Sequence, residues 1–90
     1  MFVNIGFGNY INAQQVVSVS RADSAPMKRL ISNAKDQGCL VDVTQGRKTK
    51  SVITAMNGQI ILSALMPETI ADRCQPEIDH KEKPEEIEDE

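Results

Sequence analysis

Apolar and polar residues alternate in short blocks along most of this chain, and one longer stretch follows a helical rhythm instead. Phe2-Val3-Asn4-Ile5-Gly6-Phe7 is short, apolar and rich in strand formers, so it predicts a first strand. Gly8-Asn9 follows as a turn pair, since both residues tolerate positive φ. Tyr10-Ile11 extends that pairing, and residues 14–20 predict a second strand in which Val17 and Val19 share one face. Residues 39–43, 51–56 and 59–65 read as three more strands. Asn57-Gly58, between the last two, is the strongest hairpin signal and predicts a type I′ turn.

The helical stretch opens at Ser24-Ala25-Pro26. A serine side chain can accept from the first free N–H groups, and proline at the first turn gives up only an N–H that has no helical partner. Met27, Leu30, Ile31 and Ala34 then recur at i, i+3, i+4 and i+7, which is one apolar face. Gly38 suits the left-handed residue that ends a helix. Pro67-Glu68-Thr69 opens a second, short helix through about Arg73, with proline and an acidic residue in its first turn. These elements predict an α+β fold: about five mainly antiparallel strands, one amphipathic helix and a short C-terminal helix.

Composition divides the chain in two. The 90 residues are 40% hydrophobic but only 3% aromatic, with no tryptophan. A small core this lean in aromatics is marginal alone, so self-association is expected. Residues 1–75 carry eight basic and five acidic side chains, a net of +3, whereas residues 76–90 carry two and eight, a net of −6. The expected organisation is therefore a folded domain over 1–75 and an acidic, disordered tail over 76–90. The whole-chain pI of about 5.1 conceals a basic domain.

Little in the sequence suggests catalysis. The one histidine, His80, lies in the tail, so no nucleophile in the domain has a histidine base. Cys39 and Cys74 are far apart and read as core thiols of a reduced compartment. Glu68 and Asp72 share a helical edge but lack a third metal ligand. No cofactor motif is present, because Gly6-Phe7-Gly8 is not continued into a dinucleotide-binding loop. The N-terminus lacks the pattern of a signal peptide, and no run nears the roughly 18 apolar residues of a membrane helix. A cytoplasmic non-enzyme with no small-molecule substrate is the expectation.

The feature that points to function is Gln45-Gly46-Arg47-Lys48-Thr49-Lys50, between two apolar runs. Gly46 can take positive φ, so a turn here would lift Arg47, Lys48 and Lys50 into solvent. Arginine can hold a phosphate through two parallel bonds, while lysine acts as a point charge. A solvated basic turn with no ligand is the plainer alternative. Three charges bind DNA weakly, so a binding role requires that the loop be repeated around an oligomer.

Five blocks in one register resemble a known family. Asn4-Ile5-Gly6-Phe7-Gly8-Asn9, Ser24-Ala25-Pro26-Met27-Lys28-Arg29, Gly46-Arg47-Lys48-Thr49-Lys50, Ile60-Ile61-Leu62-Ser63-Ala64 and Pro67-Glu68-Thr69 look like the bacterial RemA family of extracellular-matrix regulators, over about residues 2–74. The resemblance implies a cytoplasmic DNA-binding activator of biofilm-matrix genes that assembles into a ring, expected to be an octamer, with double-stranded DNA wrapped on its basic outer edge. The family's Gly-Arg-Arg-Thr-Arg pattern falls on Gly46, Arg47, Lys48, Thr49 and Lys50, so two arginines are lysines here. A further basic position of the family falls on Gln15. A structural or protein-interaction ring without direct DNA binding is the alternative.

Overall fold

A computed structural model describes residues 1–75 of the protein. The elements run β1 (Phe2–Asn4), β2 (Tyr10–Asn12), a 3-10 turn (Ala13–Gln15), β3 (Val16–Arg21), α1 (Ala25–Gln37), β4 (Leu40–Asp42), β5 (Ser51–Ala55), β6 (Ile60–Ser63) and α2 (Pro67–Arg73). The acidic tail and His80 lie outside the described residues.

The class is α+β, but the strands form two sheets rather than one of about five. An antiparallel β1–β2 hairpin stands apart from a four-stranded sheet of order β3-β5-β6-β4. Within the larger sheet β3–β5 and β5–β6 are antiparallel and β4–β6 is parallel. The alternation of the central strands explains the split. Val52, Ile60 and Leu62 cluster under α1, with Ala34 buried and Met27, Leu30 and Ile31 packed beside it. Ile53 and Ile61 emerge on the opposite face, where they meet Val3 and Ile5 of the hairpin segment, Leu65 just before α2, and Ile70 within it. Both faces of β5 and β6 are apolar, so both must be covered. One helix covers the first, and the hairpin with α2 covers the second.

α1 begins and ends as its sequence dictates, and α2 opens with Pro67 and Glu68 in its first turn. Ser24 Oγ accepts from Met27 N at 3.3 Å, and Gly38 closes α1 in the left-handed conformation at φ 77°. Two strand-level expectations are corrected. Val17 and Val19 do not share a face, because β3 is bulged there: Val16 pairs with Ala55 and Ser18 with Thr54, leaving Val17 as the extra residue. Val16 and Val19 pack on the core, and Val17 is 66% exposed.

The second correction concerns Asn57-Gly58, which does not form a type I′ turn. Ala55 N donates to Gln59 O and Gly58 N to Ala55 O, both at 3.0 Å, so the loop has three residues. Gly58 alone takes positive φ, 89°, in the arrangement of a type I turn followed by a left-handed glycine. The turn centred one residue before the expected Gly8-Asn9 pair is the type I′ one: Phe7 (φ 56°) and Gly8 (φ 77°) stand between Gly6 O and Asn9 N, 3.0 Å apart.

Buried serines bolt the layers together. Ser63 Oγ donates to Ile5 O at 2.8 Å and accepts from Leu65 N at 3.1 Å. Ser51 Oγ donates to Leu65 O. Both side chains are fully buried, so these bonds also satisfy two carbonyls, of Ile5 and Leu65, and the Leu65 N–H, where water does not reach the serines.

Candidate nucleic-acid interface

The basic segment is a crossover rather than a hairpin. β4 and β5 flank β6, so the chain from Asp42 to Ser51 passes over the end of β6. It is fastened there at both ends: Val43 N donates to Leu62 O at 3.0 Å, and Lys50 N to Ser63 O at 2.9 Å. Its turn is again type I′, with Gln45 at φ 57° and Gly46 at φ 81° between Thr44 O and Arg47 N, 3.0 Å apart. Gly46 thus supplies the positive φ that its sequence position requires. The Asp42 carboxylate fixes the entry by accepting from Thr44 N at 2.9 Å and from Thr44 Oγ1 at 2.7 Å.

This geometry brings the three expected cations together. Arg47, Lys48 and Lys50 line one hollow of about 220 Å³ beside Ala64. Arg47 and Lys48 are exposed and Lys50 is half-buried, so their charges face solvent at low desolvation cost. The Arg47 guanidinium lies 5.6 Å from the centre of the Phe7 ring, which brings the tip of the first hairpin against the basic segment.

Lys48, Thr49 and Lys50 also line a second hollow, of about 170 Å³, with Arg21, Ala22, Asp23 and Met66. Arg21 is a residue that sequence reasoning missed. The β3–β5 register sets it opposite Ser51, and Ala22 N donates to Lys50 O at 3.3 Å. Only that long-range pairing gives it away, because nothing near Arg21 in the chain is basic. Arg21 Nη2 reaches Asp23 Oδ2 at 2.9 Å. The hydrogen bond and the charge of Arg21 hold the Asp23 carboxyl below the usual range, and Lys48 adds a smaller push in the same direction.

Gln15 lies elsewhere. It ends the 3-10 turn just before β3 rather than lying on the strand expected over 14–20, its main-chain carbonyl accepts from Met56 N at 2.8 Å, and it lines a separate hollow with Tyr10, Asn57 and Gln59. Within one chain it does not join the basic segment. The Cys39 thiol donates to Ala34 O at 3.7 Å, and burial pushes the Cys74 thiol up, away from the thiolate form. Among the described residues no cluster of three His, Cys, Asp or Glu could hold a metal, and no helix is long and apolar enough to cross a membrane.

A family model for RemA-like proteins, described as "Extracellular matrix regulatory protein A-like", matches residues 2–74. Among similar proteins, one from Lachnoclostridium phytofermentans is 58% identical over 71 residues, covering 79% of this chain and 78% of that protein. One from Nitratidesulfovibrio vulgaris is 52% identical over 75 residues, 83% and 87% of the two chains. One from Carboxydothermus hydrogenoformans is 47% identical over 81 residues, 90% and 93% of the two chains. Each bears the name "Putative regulatory protein". Matched across nearly the whole of its described length, the chain belongs to the RemA-like family of extracellular matrix regulatory proteins.

Proposed function

We propose that this protein is a cytoplasmic DNA-binding transcriptional regulator that assembles into an octameric ring and activates biofilm-matrix genes. Arg47, Lys48 and Lys50 contact phosphates, and duplex DNA wraps the ring's basic edge without base-specific reading. The observation that carries this reading is the convergence of the three cations on one crossover, fastened at both ends to β6. Membership of a family of matrix regulators supports the regulatory part.

Assembly is supported by what the monomer leaves uncovered. Phe2, Tyr10, Val17 and Met56 are each more than 60% exposed, apolar surface that a second copy would take out of water. Repetition of a three-cation segment around a ring supplies the affinity that one copy lacks, since each neutralised phosphate adds about −0.9 to the slope of log K against log salt.

The test is a gel-shift titration of the full chain on a duplex of roughly one hundred base pairs, long enough to wrap. It is run at two salt concentrations, with the mass in solution measured by light scattering. A large oligomer whose binding falls steeply with salt, and is lost in the R47A/K48A double variant, is the expected result. An oligomer indifferent to duplex at low salt would replace this reading with a protein-interaction ring, and a monomer would remove the ring.

A further inference from the structure

We propose that Arg21 is a fourth phosphate-contacting residue of the basic edge and that Asp23 restrains it, so that DNA engages Arg21 by displacing a carboxylate. This inference rests on the DNA-binding reading above.

Three observations point to it. Arg21, Lys48 and Lys50 line the same hollow, so a phosphate drawn to the two lysines arrives within reach of the guanidinium. The position is fixed by backbone, through the Arg21–Ser51 register and the bond from Ala22 N to Lys50 O. The guanidinium is already presented as a two-pronged donor, with Nη2 at 2.9 Å and Nε at 3.4 Å from the two oxygens of Asp23. A phosphate offers the same pair of acceptors with more charge.

Asp23 occupies that fork in the free protein. Both side chains are largely exposed, 70% and 65%, and exposed ion pairs of this kind are weak, so the carboxylate is displaceable. Asp23 also sits beside Lys48 closely enough for the lysine charge to act on it. It therefore opposes an incoming phosphate twice, by occupying Arg21 and by offsetting Lys48. Glu68 is the other acidic side chain whose charge Arg21 feels, and its influence is the smaller one. Neither substitution of Asp23 nor of Arg21 touches the α1 cap, which is Ser24.

The experiment is a gel-shift titration of the full chain on the same duplex across several salt concentrations, with wild type, R21Q, R21K, D23N and R21Q/D23N. R21Q is expected to weaken binding several-fold and to lower the salt slope by about 0.9 for each Arg21 engaged. R21K, which keeps the charge without the fork, falls between. D23N tightens binding several-fold, and most of that gain disappears when Arg21 is already Gln. Equal gains from D23N in both backgrounds, or an R21Q variant that binds with wild-type affinity and slope, would overturn the proposal while leaving the parent reading intact. A wild-type chain that binds no duplex overturns both. Thermal melts of each variant show whether a loss of binding is a loss of fold, and R21K and D23N carry the test if R21Q melts early.

Discussion

The Arg47 guanidinium lies over the Phe7 ring, 5.6 Å from its centroid, and so joins two turns that lie far apart in the chain. Each turn contains one of the two positive-φ residues other than glycine among the described residues, Phe7 at 56° and Gln45 at 57°. A bulky side chain in that conformation is costly, and it persists where the surroundings hold it. Here the hairpin tip delivers an aromatic face to a cation that the proposed function needs in a fixed place.

Replacing Phe7 by Leu keeps apolar bulk and removes the ring. Cation–π pairs at exposed sites are worth about 0.5–1 kcal/mol, so duplex binding should weaken by roughly two- to fivefold. Phe7→Trp, which keeps a π face, should retain wild-type affinity. Titration of both variants at one salt concentration checks this, and equal affinities for Leu and Trp would show that the ring does not position Arg47.

The bulge in β3 makes a stability prediction. Ile53 is fully buried between the sheet and its second cover, so Ile53→Ala should cost about 2–5 kcal/mol. Val17→Thr, at the exposed bulge, should fall within about 0.5 kcal/mol of wild type in a dissociated protomer and should cost more where assembly covers the side chain. Urea unfolding of the two variants tests the pair. A large loss at Val17 would mean that another copy covers that side chain, and comparison at several protein concentrations would reveal it.

Asp23 gives a pH prediction with a definite sign. Its folded carboxyl lies below the ordinary value, first because it is hydrogen-bonded to Arg21 and then because of that residue's charge. A depressed carboxyl contributes stability above its unfolded pKa and loses that contribution as pH falls through the folded one. The loss therefore belongs to the acid side of the ordinary carboxylate range, and at so exposed a site it is small. Carboxyl titration by NMR should show Asp23 titrating low in wild type and moving up toward the ordinary value in R21Q. An unmoved Asp23 would dissociate it from Arg21.

Residues 76–90, with a net charge of −6, should compete with DNA for the basic edge. Truncation after Cys74 should then tighten duplex binding at low salt, with the difference fading as salt screens both interactions. Identical titrations for the full and truncated chains at low salt would remove the idea.

How far the fold could be read from sequence depended on the range of the forces involved. α1 was legible in full because Ser24, Pro26, the Met27-Leu30-Ile31-Ala34 stripe and Gly38 all act within a turn or two of themselves. α2 was legible for the same reason. The partition into two sheets was not, because it follows from both faces of β5 and β6 needing cover, a condition that the whole core sets. The parallel β4–β6 pair likewise has no local signature. Asn57-Gly58 misled because its loop takes three residues, and the choice is made by which residue of the strand pairs last. The site divides in the same way. Arg47, Lys48 and Lys50 are neighbours in sequence and were found, whereas Arg21 reaches them only through the register of β3 on β5.

The two backbone bonds that fasten the crossover, from Val43 N to Leu62 O and from Lys50 N to Ser63 O, use no side chain of the basic segment. Its path is set by main chain and by the Asp42–Thr44 contact, so Lys48 and Lys50 carry charge without fixing that path, and Arg47 adds its contact with Phe7. Exchanging lysine for arginine at Lys48 or Lys50 would therefore change how tightly the surface grips its ligand while leaving alone the path that presents it.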